Sequence, residues 1–414
     1  MVAELDVTAK DDALDQVELW RSRLDELLAR VGEHVFRREA RMRLRDYVRG
    51  LLAQVGRKNT WQIAEYVGHA TPDGLQRLLA HAVWDPERVR DEVRDYVAKY
   101  LGADDGVLIV DETGFIKKGT SSAGVSRQYT GTSGKVDNCQ VAVFAAYASH
   151  LGRALVDREL YLPKAWMDDP ERCRAAGIPG EREFATKPQI ARTLITRLLE
   201  AGLPARWVAA DEAYGQDHRF RRALEQLGAG YVLAVPKSQQ VRSFGAMRRI
   251  EELVGMAPDE AWQRASCGAG AKGPRVYDWV AAELPLVPDY DYDAAPVGRW
   301  MLARRSLGAD REIAYYLAYG PADTNVAELI RVAGARWAIE ECFQAAKNET
   351  GLDQYEVRRY PGWYRHITLA MLAHAFLAVQ AADAAEKGAS AAINPWSSTC
   401  RWERSAGSWR LSAC

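Results

Sequence analysis

The chain has 414 residues, 48% of them hydrophobic, with 55 Lys and Arg against 56 Asp and Glu and a formal net charge of −1 at pH 7. That length allows two or three domains with a sizeable core, and the near-zero charge excludes a chain acting through overall basicity or acidity. No run of about 18 apolar residues marks a membrane span, and the acidic start MVAELDVTAKDDALDQ does not read as a signal peptide, so a cytoplasmic protein with no membrane partner is expected. The six cysteines, at 139, 173, 267, 342, 400 and 414, lack CxxC spacing or a nearby His, which argues against a zinc site or a disulfide framework.

Residues 1–100 read as an all-helical region. Leu44, Tyr47, Val48, Leu51, Leu52 and Val55 give the apolar stripe of an amphipathic helix, and Arg38, Arg41, Arg45 and Arg49 form another stripe on it. Arg37, Arg38, Arg41, Arg43, Arg45, Arg49, Arg57 and Lys58 face only Glu39 and Asp46 in the same stretch. The following segment breaks at Gly56 and at the turn Thr71-Pro72-Asp73-Gly74 into short helices, compatible with a helix-turn-helix-like module. A DNA backbone would suit this basic face; a solvated face on a helical bundle explains it equally well.

The pattern changes after Gly102. GVLIVDETG, NCQVAVFAAYAS and RALVDRELYLP read as three strands, with the Ser/Gly/Thr-rich stretch 119–134 as a hairpin loop. A helix over 187–201, the run RWVAADEAYG, a helix over 217–227 and the run YVLAVPK follow. Residues 238–325 break the alternation and read as a mostly β insertion. Long helices are predicted over 325–348 and 363–385, and residues 386–414 as an irregular tail.

Asp111 and Asp211 each end an apolar run, and each is followed by Glu. In an α/β sheet, ligand sites form beyond strand ends, so two such aspartates on adjacent strands could share a divalent cation. A turn or N-cap role explains either one singly. On the predicted helix 325–348, Arg336, Glu340 and Lys347 lie at i, i+4 and i+11, within about 40° of one another around the axis. Ile339, Cys342 and Ala346 lie on the neighbouring apolar face, and Glu341 points about 100° away from Glu340. An ordinary i, i+4 salt bridge gives the same spacing.

The segment RWAIEECFQAAKNETGLDQYEVRRYPGWYRHITLAMLAHAFLAV resembles the C-terminal signature of DDE-type bacterial insertion-sequence transposases, in which Tyr, Arg, Glu and Lys are separated by two, three and six residues. Arg336, Glu340 and Lys347 match; the Tyr position falls on Ala333. VLIVDETGFIKKG and WVAADEAYG resemble the two Asp motifs, and the likeness, over about residues 20 to 385, is greatest to the insertion-sequence 701 family.

The resemblance implies an α/β, RNase H-like catalytic domain, here 101–237 with a helical second part over 326–385, interrupted by the β-rich insertion 238–325 and preceded by an N-terminal all-helical DNA-binding region. It implies a transposase: an endonuclease and strand transferase acting on double-stranded DNA, both element terminal inverted repeats and target, as a dimer when DNA is bound. Asp111, Asp211 and Glu340 would be catalytic and hold two Mg²⁺ ions (Mn²⁺ can substitute) about 3.5–4 Å apart. Arg336, Lys347, Lys237 and the arginines at 38, 41, 45 and 49 would contact DNA phosphates. Lys117, Lys118, Arg127, Tyr129 and Trp337 are weaker candidates. The alternative is a catalytically impaired, transposase-derived DNA-binding protein or inhibitor.

Overall fold

The computed structural model describes residues 2–243, 246–270, 273–285, 297–386, 400–405 and 408–413, with side chains described between 16 and 386. Five helices come first: α1 (Val2–Glu33), α2 (Arg38–Leu52), α3 (Thr60–Tyr66), α4 (Asp73–Ala80) and α5 (Pro86–Leu101). Local chemistry sets their starts. Asn59 caps α3 by accepting from Gln62 N–H, and Asp85 caps α5 ahead of Pro86, whose missing N–H costs nothing at a first helical position. The apolar stripe of α2 is buried as expected (Leu44, Tyr47, Val48, Leu51).

A large mixed sheet follows. Its core strands are β1 (Val107–Ile116), β2 (Ser126–Thr130), β3 (Lys135–Ala148), β4 (Arg153–Tyr161), β5 (Trp207–Ala210) and β6 (Gly230–Val235). Between β4 and β5 lie α6 (Lys164–Met167), α7 (Pro170–Ala176) and α8 (Lys187–Glu200); α9 (Glu212–Gly215) and α10 (His218–Gln226) separate β5 from β6. β1 is antiparallel to β3 along its whole length but parallel to β5 only over Val107–Val110. The antiparallel trio β1, β3 and β4, with β2 added beside β3 and parallel β5 and β6 following, is the strand arrangement expected of an RNase H-like domain. β2 lies within the stretch expected to be a loop. Its sequence, SRQYT, has no apolar alternation because it is a half-exposed strand beside β3.

The insertion holds β7 (Gln240–Ser243), β8 (Ala246–Arg249), α11 (Ile250–Gly255), β9 (Gln263–Gly270), β10 (Gly273–Glu283), β11 (Val297–Arg305) and β12 (Ile313–Pro321). It is mostly β, but it is no separate layer. β12 pairs antiparallel with β6, and β11, β10 and β9 continue outward, so the central sheet runs unbroken into the insertion.

The helix predicted over 325–348 is two helices, α12 (Val326–Ala335) and α13 (Trp337–Thr350), meeting at Arg336. Arg336 itself keeps helical dihedrals (φ −51°, ψ −36°), so the two helices follow one another closely. Just before it, Gly334 presses against the Cys267 carbonyl of β9, where a Cβ would come within 1.8 Å of the oxygen.

The last long helix, α14 (Tyr360–Glu386), is apolar and long enough to cross a membrane by composition, yet most of it is buried within the protein. β13 (Cys400–Ser405) pairs antiparallel with β14 (Ser408–Ala413) inside the tail expected to be irregular; residues 387–399 lie outside the described residues. The missed signal was the short alternation around Trp402 and Trp409.

One continuous hydrophobic core links the N-terminal helices, the sheet and α12–α14. Polar ties reinforce it. His366 Nε2–H donates to the Gly351 carbonyl at 3.1 Å while Nδ1 accepts from the Tyr47 hydroxyl at 2.8 Å, and burial lowers the imidazole pKa to about 4. A partly buried ion network joins α5 to β4 and α8: Arg158 donates to both Glu87 oxygens at 2.8 and 3.1 Å, and Arg197 makes two 2.7 Å bonds to Asp157. Cys139, Cys173, Cys267 and Cys342 are free and buried.

Candidate active site

β1 does not stop at Asp111, as its sequence suggested, but runs five residues further. Asp111 is the first residue past the end of the β1–β5 parallel pairing, and Asp211 is the first residue past the end of β5. Sheet register therefore sets the two aspartates side by side at one strand edge. Asp211 also caps α9, accepting from Ala213 N–H at 2.9 Å, so the cap role and the site role coexist. Gly215 ends that short helix against the Ala234 carbonyl of β6; a Cβ there would lie 1.9 Å from the oxygen. Gly215→Ala is expected to cost about 1–3 kcal/mol by overpacking. Chemical denaturation checks this, and wild-type stability in the variant would contradict the close approach.

Electrostatics mark the pair. Burial, then Asp211, then Glu112 push the Asp111 carboxyl up to about 8. Burial and Glu112 raise Asp211, opposed by the Ala213 N–H and by Arg336. Like charges converging at a half-buried edge disfavour ionisation unless a cation joins them. Arg336, at the break between α12 and α13, acts on both aspartates in the compensating sense.

Arg336 also pairs with Glu340 at 3.0 Å, an i, i+4 contact, and Glu340 keeps 49% of its side chain exposed. Glu341 is tied up elsewhere, with Arg275 at 2.7 Å and Arg153 at 2.8 Å. The preference for Glu340 thus has a geometric counterpart: Glu341 serves as an anchor to β10. Among the described residues, however, no three His, Cys, Asp or Glu side chains converge into a group able to hold a metal ion. Asp111 and Asp211 lie beyond paired strand ends, and Arg336, the partner of Glu340, bears on both electrostatically.

Lys347 lands beside the same strand, its Nζ donating to Thr113 Oγ1 at 2.8 Å and Thr132 Oγ1 at 3.3 Å; burial lowers its pKa. Thr113 follows Asp111 by two residues, hence on the same face of β1. Lys117, four residues on, sits 3.5 Å from the Tyr355 ring centroid, and burial lowers it to about 8.

Trp337 stacks on Tyr277 at 6.2 Å and 4°, with the Arg275, Arg304 and Arg336 guanidiniums over its ring. Lys237 is exposed after β6, and no described contact joins it to the aspartates. On α2, Arg38 and Arg45 are exposed, Arg41 donates to the Val35 carbonyl at 2.6 Å, and Arg49 pairs with Asp25 at 2.9 Å. Sequence reasoning gave no role to Glu112, Lys187 and Tyr214, which meet behind the aspartates: Lys187 Nζ lies 2.6 Å from Glu112 Oε1 and the Tyr214 hydroxyl 2.5 Å from Oε2. The repeated Asp-Glu dipeptide was the available signal.

Comparison with known proteins identifies the family. The profile of the DDE superfamily endonuclease family matches residues 30–251, and that of the transposase DDE domain matches residues 185–376. A probable transposase for insertion sequence element IS701 from Microchaete diplosiphon is 27% identical over 315 residues, 75% of this chain and 76% of that protein. With more than half its length matched by the first of these profiles, the chain belongs to the DDE superfamily of endonucleases.

Proposed function

We propose that this protein cuts DNA at the ends of an insertion sequence and joins the freed ends to target DNA, using divalent metal held by Asp111, Asp211 and Glu340. The observation that carries the reading is the pairing of Asp111 and Asp211, whose mutual repulsion and burial suit a shared cation. The donor set fits Mg²⁺, a hard ion that takes carboxylate oxygen and keeps several waters; Mn²⁺ can replace it. When bound, such ions activate the attacking oxygen and stabilise the leaving one.

The protein's own groups do the rest. Arg336, whose charge offsets that of both aspartates, pairs with Glu340, whose exposure leaves it able to turn inward as the third ligand. Lys347, oriented by Thr113 and Thr132, is set to bind a phosphate beside Asp111. Phosphoryl transfer gains most from such prearranged charge. The basic face of α2 is the proposed duplex surface, with Arg38 and Arg45 reaching out while Arg41 and Arg49 also anchor the helix. Lys237 is a further phosphate contact in this reading. Pairing two DNA ends calls for a dimer on DNA.

The test is cleavage of DNA carrying the element's own terminal repeats in Mg²⁺, comparing the wild type with Glu340→Gln and Glu341→Gln. Glu340→Gln should abolish cleavage while leaving DNA binding intact, and binding should weaken steeply with salt as phosphate contacts release counterions. Glu341→Gln should lose stability rather than chemistry. Binding without cleavage by the wild type would instead mark a transposase-derived DNA-binding protein.

A further inference from the structure

Glu112 follows Asp111 directly, so the pleat sends its side chain to the opposite face of β1. The Asp111 face, continued by Thr113 and Phe115, is covered by α13 and α14 through Lys347 and Trp363. Behind it, Glu112 meets α8 and α9. Lys187 is the first residue of α8, placed by the Thr186–Gln189 capping box, and its Nζ takes one Glu112 oxygen at 2.6 Å. Tyr214, fully buried in the four-residue helix that Asp211 caps, donates its hydroxyl to the other at 2.5 Å. Both oxygens of Glu112 are therefore engaged, which leaves it poorly placed to serve as a metal ligand itself.

From this geometry we infer that Glu112 is a positioning residue of the metal site. By joining Lys187 and Tyr214 to β1 it holds α9, and with it Asp211, at the spacing from Asp111 that lets the two share a divalent cation. A glutamine would lose the charge-assisted contact to Lys187, and an apolar residue would leave the buried Tyr214 hydroxyl and the half-buried Lys187 ammonium without this partner. The negative charge also adds to the field of the two aspartates, since Glu112 bears on each of them. Partners one shell out from metal ligands set ligand orientation, and their loss commonly costs about 10–100-fold in metal affinity.

This inference rests on the metal-dependent reading above, and one experiment separates the two. Mn²⁺ is titrated into the full-length protein without DNA, and bound ion is read by electron paramagnetic resonance for the wild type, Asp111→Asn, Glu112→Gln and Tyr214→Phe. Thermal unfolding and metal-free DNA binding are measured alongside. Asp111→Asn should abolish specific Mn²⁺ binding. Glu112→Gln and Tyr214→Phe should weaken it by about 10–100-fold with DNA binding unchanged.

Wild-type Mn²⁺ affinity in both of those variants, with binding lost in Asp111→Asn, overturns the positioning role alone. Wild-type affinity in Asp111→Asn overturns the metal reading and this inference with it. If Glu112→Gln does not fold, Tyr214→Phe decides, because it deletes one hydroxyl and keeps the ring. Loss of Mn²⁺ binding that merely tracks loss of thermal stability and DNA binding would mark a structural role and overturn the proposal.

Discussion

Asp111→Asn is expected to stabilise the cation-free protein above neutral pH while removing DNA cleavage. The sign follows from the site. The Asp111 carboxyl rises from an ordinary value near 3.8 to about 8, through burial first and then Asp211 and Glu112. The folded protein therefore binds this proton more tightly than the unfolded chain does. The group's contribution is complete below its unfolded value and is lost as pH climbs through about 8. Each pKa unit corresponds to about 1.4 kcal/mol, so the penalty reaches a few kcal/mol by about pH 8. Asparagine cannot ionise and escapes it.

The stability gap between variant and wild type should open from about pH 4 to about pH 8 and then level off. Added Mn²⁺ should reverse the order, since an ion that binds only the folded wild type stabilises it by mass action. Cleavage should fall by about 10³-fold or more, because losing a ligand removes several kcal/mol of charge stabilisation. Thermal unfolding across this pH range, with and without Mn²⁺, checks the first part, and a DNA nicking assay the second. An asparagine variant less stable than the wild type at high pH would show that Asp111 carries no such burden.

Arg158→Ala should be the most destabilising single change outside the cleft, at about 3–5 kcal/mol. Arg158 is fully buried, bonds both oxygens of Glu87, and donates to Thr368 of α14 at 3.0 Å. Asp157, its neighbour on β4, is fully buried too. Removing the guanidinium leaves the fully buried Asp157 to Arg90 and Arg197, and leaves Glu87, 41% exposed, to the same two arginines and to water. Burial alone would raise the Glu87 pKa, but Arg158, with Arg90 and Arg197, holds it below the ordinary value. A depressed carboxyl contributes stability above its unfolded pKa and loses it as pH falls through the folded value. The difference between wild type and variant should therefore be full at neutral pH and shrink in acid. Denaturant titrations near pH 7 and near pH 4 measure it. A cost under about 1 kcal/mol at neutral pH would mean that the network is replaceable.

Because this network ties α5 to the sheet, the same variant tests how the N-terminal helices are held. They do not hang from the catalytic sheet by a linker: Tyr47 bonds to His366 of α14, Glu87 to Arg158 of β4, and the Lys58 N–H to Gln354 in the loop between α13 and α14. DNA gripped by α2 would thus be fixed in relation to Asp111, a useful property when a cut must fall at a set distance from a recognised sequence.

What the sequence by itself determined was local. Apolar runs ending at Asp111 and Asp211 marked two strands, and the apolar stripe of Leu44, Tyr47, Val48 and Leu51 marked the buried face of α2. These signals survive because each depends on neighbours within a turn or a strand.

Only tertiary structure decided the rest. β1 continues past Asp111 because β3 pairs with it throughout, and pairing over that distance leaves no local trace. The insertion extends the central sheet because β12 finds a free edge on β6. The helix predicted over 325–348 is interrupted at Arg336, and Gly334 beside it is pressed on the Cys267 carbonyl of β9, a contact that only the path of the backbone creates. Nor could spacing show that Glu341 is held by Arg153 and Arg275, or that Glu112 meets Lys187 and Tyr214. Contacts between residues far apart in the chain are set by the path of the whole backbone, and no residue's immediate neighbours encode that path.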